Sequence, residues 1–307
     1  MFQFNFYMIY LEKKIMDQIN KILYYLSKIE ALPIISICEF KIIRPIGSGS
    51  FGTVFLAEKN RKQYAIKMIY ERKHALKEIR NLKFVKKFLP NHRNVVGFVT
   101  SFFYSGAYYI VMEYVDGVSL FDHLKPQSGH LDEATFLPIF LQMLNAICSI
   151  HACGIAHLDI KFENFVIEQS TGRVVLIDLG SCSRTGVELD DCVGTPLYMD
   201  SLVVQNIGNI THYYMDIWSI GMNLVCIYNG KAPFSFPKNL KKKDVISYIM
   251  IFMANLTKPP IPTKLQEDKT LFGKFICDIS TRCLQLDPTL RPTAAEIFEL
   301  VKTYSNQ

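Results

Sequence analysis

Short apolar runs separated by glycine or by charged turns begin at Glu39 and predict a β-rich segment. They are rich in Ile, Val, Phe and Tyr, and they occupy residues 40–45, 53–58 and 63–69. A charged helix is expected over 73–87, followed by two more strands near 95–103 and 108–113.

After Asp116 the apolar positions recur at helical spacing, with helices expected near 133–153, 212–229 and 292–303. A small β-rich lobe followed by a larger helical lobe is an α+β arrangement, with a hinge expected at 113–117.

The N-terminal extension, residues 1–39, contains a pattern typical of an amphipathic helix. Between residues 12 and 30, apolar side chains recur at alternating spacings of four and three residues, and Pro33 ends the run. About two heptads are too few for a dependable coiled coil, so we expect this helix to pack on the chain's own body. Docking to a partner through the same helix remains the alternative, and the chain is expected to be a monomer.

Composition narrows the class of protein. Half of the 307 residues are apolar and 20% are charged, which excludes a wholly disordered chain. The net charge of +6 is too small for this length to argue for nucleic acid. Eight cysteines without a C-x-x-C pair indicate reduced thiols. With neither a membrane span nor a signal peptide expected, the interpretation is an intracellular protein of the cytoplasm and/or nucleus.

A glycine-rich run lies between the first two predicted strands and reads Gly47-Ser-Gly49-Ser-Phe-Gly52-Thr-Val54. Glycines at this spacing let backbone N–H groups approach phosphate oxygens, although a simple hairpin turn has the same pattern. A dinucleotide-binding loop would need a helix directly afterwards, whereas a strand continues here. Lys67 follows on the next strand.

A more specific run is His157-Leu158-Asp159-Ile160-Lys161-Phe162-Glu163-Asn164, followed by Asp178-Leu179-Gly180 after an apolar strand. Asn164 and Asp178 supply the oxygen ligands that Mg²⁺ prefers. Asp159 can accept a hydroxyl proton, and Lys161 can neutralise charge on a transferred group.

Together with Gly194-Thr-Pro, Asp216-Ile-Trp218-Ser-Ile-Gly221 and Asp287-Pro-Thr-Leu-Arg291-Pro292, these motifs resemble the eukaryotic protein kinase family, serine/threonine type. The resemblance covers residues 40–303 and implies a bilobal kinase fold. It places the N-lobe at about 40–112, the hinge at 113–117 and the C-lobe at 118–303.

The resemblance implies that ATP and Mg²⁺ are the cofactors and assigns the site residues. Asp159, Lys161, Lys67 and Glu78 are the catalytic set, with Glu78 preferred over Glu71 as the helix partner of Lys67. Asn164 and Asp178 are the metal ligands. The expected nucleotide-binding residues are Ile46, Gly47, Ser48, Gly49, Ser50, Phe51, Gly52, Thr53, Val54, Ala65, Lys67, Met112, Glu113, Val115 and Val166.

Two departures from the family pattern bear on activity. Leu158 stands where most members carry an arginine that holds a phosphorylated activation loop, and leucine cannot pair with phosphate. The acidic pair Asp190 and Asp191 occupies a common place for that phosphorylation. Met199-Asp200-Ser201-Leu202 replaces the usual Ala-Pro-Glu, so Arg291 is expected to lack its usual glutamate, with Asp200 as an ill-placed substitute.

The expected function is transfer of the ATP γ-phosphate to Ser/Thr hydroxyls of protein substrates, because Lys161 and Thr195 match the serine/threonine type. A pseudokinase that acts as an ATP-binding or scaffolding module is the main alternative, and a small-molecule kinase is the second. Pseudokinases usually lack the catalytic Lys, Asp or metal Asp, and this chain retains all three.

Overall fold

The computed structural model describes residues 36–49, 52–124, 131–185, 194–204, 212–237, 241 and 244–306. The predicted helix at 12–30, the loop residues Ser50 and Phe51, and the acidic pair Asp190 and Asp191 lie outside these ranges. The chain divides into two compact units. Unit 1 comprises the residues up to His92 together with Val96–Val115, and unit 2 comprises Arg93–Val95 and Asp116–Gln307.

Among its described residues, unit 1 contains a six-stranded antiparallel sheet and one helix, α1 (Arg72–Phe88). The strands lie in the order β1-β2-β3-β4-β6-β5. Their bounds are β1 Ser36–Ile37, β2 Phe40–Gly49, β3 Gly52–Lys59, β4 Lys62–Ile69, β5 Phe98–Tyr104 and β6 Ala107–Glu113. Alternate residues of these strands face an apolar core in which Ala57, Ile66 and Val111 are fully buried.

Aromatic side chains close this core. Phe40 on β2 stacks on Phe102 on β5 with ring centroids 6.3 Å apart, although three strands separate β2 from β5 in the sheet. Phe102 stacks in turn on Tyr109, at 5.4 Å. The sheet is therefore strongly curled, as its right-handed twist favours.

Helix α1 begins where the sequence predicts it. Its buried apolar residues, Ala75, Ile79, Leu82 and Val85, recur at spacings of four, three and three residues and so lie on one face. Glu71 caps the N-terminus, accepting hydrogen bonds from the backbone N–H groups of Lys73 (2.9 Å) and His74 (2.7 Å).

Unit 2 contains eight helices among the described residues. Their bounds are α2 Leu120–Leu124, α3 Glu133–Ala152, α4 Ser201–Val204, α5 His212–Asn229, α6 Val245–Ala254, α7 Thr263–Gln266, α8 Leu271–Cys283 and α9 Ala294–Ser305. Helix α5 is buried along most of its length, and Trp218 is fully buried. It packs closely on α8 and the residue after it, since a Cβ at Gly221 would lie 2.7 Å from the side chain of Leu284.

Short strands support the loops of unit 2. One sheet has the order β10-β9-β7, formed by β7 Gly117–Ser119, β9 Phe165–Glu168 and β10 Val174–Leu176. A second sheet pairs β8 Ile155–Ala156 with β11 Ser183–Arg184.

The predicted strand at 95–103 begins later, at Phe98. Residues 93–95 belong to unit 2, where Val95 forms a parallel bridge with Leu176. The buried Asn94 holds them there, donating from its side chain to the carbonyl oxygen of Val174 at 2.7 Å. A buried polar group needs such a partner, and this requirement overrides the strand propensity of Val95 and Val96.

Helix α3 is the one described helix long and apolar enough to cross a membrane, judged by length and composition. Half of that stretch is buried, and the helix packs against α9 and β10. Its Phe136 stacks on Phe140 and contacts Phe272 of α8. A buried core helix passes the same test of length and hydropathy.

Candidate active site

The predicted lysine–glutamate pair is present in unit 1. The Lys67 ammonium group lies 2.9 and 2.8 Å from the two carboxylate oxygens of Glu78. Both side chains are buried, Lys67 on β4 and Glu78 on α1. Glu71, the alternative partner, instead caps α1. The preference for Glu78 is therefore confirmed.

The register of the sheet collects the predicted nucleotide-binding residues of unit 1 on one face. Val54 on β3 is paired with Lys67, and Met112 on β6 is paired with Ala65. Residues directly opposite each other in an antiparallel pair share a face, as do residues two apart on one strand. Val54, Ala65, Lys67 and Met112 therefore line the same side.

The described residues of the glycine-rich run lie at the paired ends of β2 and β3. Gly47 is paired with Val54, and Gly49 with Gly52. A Cβ at Gly52 would lie 2.0 Å from the carbonyl oxygen of Met68, so this strand position admits only glycine. Of the other predicted nucleotide-binding residues, Ile46 and Ser48 lie on β2, Thr53 on β3 and Glu113 on β6, and Val115 follows β6.

Asp159, Lys161 and Thr195 form a closed set of hydrogen bonds in unit 2. The Lys161 ammonium group donates to Asp159 Oδ2 and to Thr195 Oγ1, both at 2.7 Å. The Thr195 hydroxyl donates to Asp159 Oδ1, also at 2.7 Å. The expectation that Thr195 anchors its segment at Asp159 and Lys161 is confirmed.

The two predicted metal ligands are joined to this set through the backbone. Asn164 donates from its amide nitrogen to the carbonyl oxygen of Asp159 at 2.8 Å. The backbone of Asn164 accepts a hydrogen bond from Ile177, the residue before Asp178, at 3.0 Å. Asp178 Oδ1 accepts from the N–H of Gly180 at 2.9 Å, and its carbonyl oxygen contacts His157 Nε2 at 2.6 Å.

This donor set fits a hard cation. The amide nitrogen of Asn164 is engaged with Asp159, and the side-chain oxygen remains as its acceptor atom. Among the described residues no group of three His, Cys, Asp or Glu side chains is placed to hold a metal by itself. Mg²⁺ is commonly bound by one or two protein oxygens plus phosphates and water, so Asn164 and Asp178 match an ion that arrives with a nucleotide.

Asp216, on the buried helix α5, holds the backbone of the catalytic loop. Its Oδ2 accepts from the N–H of His157 and its Oδ1 from that of Leu158, both at 2.7 Å, and His151 Nε2 contacts Oδ2 at 2.8 Å. Asn223 lies about two turns further along the same helix. Its Oδ1 accepts a hydrogen bond from the N–H of Phe162 at 3.1 Å. Sequence reasoning gave neither residue a site role, although Asp216 opens a quoted motif.

Leu158 is 4% exposed and lies in an apolar cluster with Ala156 and Met215. Its φ is +67°, a conformation that costs a leucine energy and that the two bonds from Asp216 and the burial help to hold. Its carbonyl oxygen would lie 2.6 Å from a Cβ at Gly194, whose own φ of +112° favours glycine.

The expectation that Arg291 lacks a partner is wrong. Its guanidinium forms a bidentate pair with Asp200, and both side chains are fully buried. The guanidinium also donates to the carbonyl oxygens of Tyr214 and Gln285, each at 2.8 Å, and lies 4.9 Å from the centre of the Trp218 ring. Asp200 lies between a short turn at Pro196–Tyr198 and the start of α4. This placement brings its carboxylate to Arg291, although Asp200 comes earlier in the sequence than the glutamate usual in the family.

The same turn is anchored to α5. The hydroxyl of Ser219 donates to the carbonyl oxygen of Tyr198 at 2.8 Å. Burial raises the pKa of the Tyr198 phenol above its usual range, so this side chain remains neutral at physiological pH. Thr195, which precedes the turn, is thus held on one side by Asp159 and Lys161 and on the other by the buried helix.

Comparisons with known proteins agree with this geometry. The family model for the protein kinase domain matches residues 40–301. The chain is 28% identical over 274 residues to serine/threonine-protein kinase fray2 of Dictyostelium discoideum, covering 85% of this chain and 25% of that protein. It is 29% identical over 263 residues to serine/threonine-protein kinase ppk11 of Schizosaccharomyces pombe, covering 83% and 78%.

Several of these relatives are longer than this chain. The chain spans about half of calcium-dependent protein kinase 7 of Arabidopsis thaliana, of which 48% is covered at 28% identity. In three dimensions it resembles a crystal structure of a kinase domain with a TM-score of 0.67, covering 89% of this chain and 98% of the other at 20% identity. The match of the family model over most of the chain shows that this chain belongs to the protein kinase domain family.

Proposed function

We propose that this chain is a serine/threonine protein kinase that transfers the γ-phosphate of Mg-ATP to hydroxyl groups of protein substrates. The observation that carries the proposal is the closed set of hydrogen bonds among Asp159, Lys161 and Thr195. It holds a carboxylate and an ammonium group side by side, as phosphoryl transfer by positioning and charge stabilisation requires.

Each residue then has a chemical task. Asp159 orients the substrate hydroxyl and accepts its proton while the new O–P bond forms and the bond to ADP breaks. Lys161, whose ammonium group lies beside the Asp159 carboxylate, neutralises charge on the γ-phosphate. Lys67, held by Glu78, binds the α- and β-phosphates. When bound through Asn164 and Asp178, Mg²⁺ neutralises further phosphate charge.

Protein substrates and an intracellular location, in the cytoplasm and/or nucleus, belong to the same proposal. Six cysteines within the described ranges are free thiols, which a reducing compartment favours: Cys38, Cys148, Cys153, Cys226, Cys277 and Cys283. The chain is proposed to act as a monomer, with partner docking through the segment at 12–30 as the alternative. Imaging of the tagged protein and light scattering of the purified chain test these two points.

The decisive assay is Mg-ATP-dependent phosphorylation of a basic protein. Lys67→Met and Asp178→Ala are each expected to lower the rate at least a hundredfold while leaving the fold intact, as measured by far-ultraviolet circular dichroism, and Asp159→Ala should lower mainly kcat. Lys67→Met should also lower the Tm, because it leaves the buried Glu78 carboxylate without its ion-pair partner. Lys62→Met, on the same strand but exposed, is the matched control and should retain activity. Near-native activity of either of the first two variants would overturn the catalytic assignment.

The pseudokinase alternative makes a different prediction in the same preparation. A binding module would be stabilised by Mg-ATP against thermal unfolding but would transfer no phosphate. Stabilisation of both the wild-type chain and Asp159→Ala, with transfer by the wild-type chain alone, supports the enzyme. Stabilisation without any transfer, measured on several protein substrates, supports the pseudokinase.

A further inference from the structure

Helix α6 is unusually apolar for a helix near the surface. Its ten residues, Val245–Ala254, contain no charged side chain, and only Ile249 and Met253 are buried. Ile251 is 63% exposed. A helix of this kind normally buries one face against its own domain and presents polar residues to water, so the exposed side of α6 is available to bind something else.

A groove of about 480 Å³ runs beside this helix. Tyr248, Ile251 and Phe252 line one wall, and the chain after α6, including Lys258 and Pro259, lines the other. The aromatic wall is supported from behind, because the Phe252 ring lies 4.2 Å from the ring of Phe234. A concave apolar groove with rigid aromatic walls is the usual form of a site that accepts side chains of a partner.

The sequence segment that contains the groove residues carries mostly positive charge. Residues 231–264 contain seven lysines and one aspartate, a net charge of +6, which equals the formal net charge of the whole chain. The rest of the sequence is therefore electrically balanced. Lys231, Lys241 and Lys258 are exposed, and Lys258 is the single charged side chain among the described residues that line the groove.

We infer that this groove docks a protein segment in which apolar side chains are flanked by aspartate or glutamate. The apolar side chains would enter the groove beside Ile251 and Phe252, and the acidic flanks would meet Lys258. Burial of such side chains supplies the affinity, while the concentrated positive charge speeds association and selects acidic partners.

Other occupants fit less well. A second copy of the chain would bring the same positive surface against itself in a two-fold contact, which like charges oppose. A membrane surface is flat, whereas most of the apolar area here lines a groove. A nucleic acid would leave Tyr248, Ile251 and Phe252 without apolar partners in a phosphate-rich contact.

The test is selection of random 14-residue peptides displayed on phage against the full chain, followed by affinity measurement of synthetic copies by fluorescence anisotropy. Enriched peptides should carry at least two apolar residues with acidic flanks. Ile251→Ser should weaken their binding at least tenfold, and Lys258→Glu at least threefold. Two matched controls, Ile246→Ser on the same helix and Lys274→Glu on an exposed lysine of α8, should stay within twofold of the wild-type chain.

Several results would overturn the inference: no enrichment, enrichment of non-acidic peptides, or equal binding by all four variants. Binding of phosphatidylserine vesicles or of a random DNA duplex that is lost in Ile251→Ser, without peptide binding, would assign the groove to those ligands. A loss of dimer in Ile251→Ser would assign it to self-association. All four variants should phosphorylate a generic basic protein within twofold of wild type, so failure of docking and failure of catalysis are separately visible.

Discussion

Replacement of Asp200 by asparagine removes one charge from a fully buried pair while preserving the size of the side chain. Arg291 would then carry an uncompensated buried charge, although Tyr214 and Gln285 still accept two of its hydrogen bonds. Removing one partner of a buried ion pair costs about 3–5 kcal/mol. Because a domain is stable by only about 5–15 kcal/mol, this change should remove a large part of the stability of unit 2.

The expected shift can be measured by thermal unfolding followed by circular dichroism. At about 2–4 °C per kcal/mol for a unit of this size, Asp200→Asn should lower the Tm by about 6–20 °C. The matched control is Asp278→Asn, which breaks the pair with Arg282 at 2.9 Å; both side chains there are more than half exposed. Exposed pairs contribute about 0–1 kcal/mol, so this control should shift the Tm by no more than about 4 °C.

A double variant isolates the buried charge as the cause. Asp200→Asn combined with Arg291→Met leaves no charge in the site, so it should be more stable than the sum of the two single changes implies. If Asp200→Asn shifts the Tm no further than Asp278→Asn does, the reasoning is refuted. Additive losses in the double variant would show that packing around Trp218, and not the ion pair, holds this segment.

Deleting residues 1–30 should lower the Tm without changing the oligomeric state, because the apolar side of the predicted helix needs burial. A shift from dimer to monomer, measured by light scattering, would instead show that this helix binds a partner. Leu158 is buried and cannot bind phosphate, so phosphatase treatment should change kcat by less than about threefold, on the order of 0.7 kcal/mol; a tenfold loss traced to residues 181–195 would contradict this. Burial lowers the pKa of His212 below 6.5, so its neutral form contributes stability that is present above pH 6.5 and is lost as the pH falls further. Urea unfolding at pH 7.5 and 5.5 should therefore show a smaller loss of stability for His212→Gln than for wild type, and equal losses would exclude His212 as the source.

The catalytic loop and the metal ligands could be predicted from the sequence because their spacing is local. Asp159, Lys161 and Asn164 lie within six residues, so one loop presents them together wherever it sits in the fold. The pairing of Lys67 with Glu78 was also predicted, because the resemblance to the kinase family implies that the strand lysine pairs with a glutamate of the helix that follows. Glu71 stands too close to the helix start to do so, and its carboxylate caps α1 instead.

Other features depended on residues far apart in the sequence, and only the tertiary structure decided them. Asp200 and Arg291 are 91 positions apart, and whether an early aspartate reaches a buried guanidinium depends on the turn before α4. The start of β5 was displaced by the need of Asn94 for a buried acceptor. The apolar residues of α6 look like ordinary core in the sequence. Helical periodicity identifies the apolar face of a helix, but whether that face is covered depends on which other segments of the same chain pack against it. Here they leave Ile251 exposed to solvent.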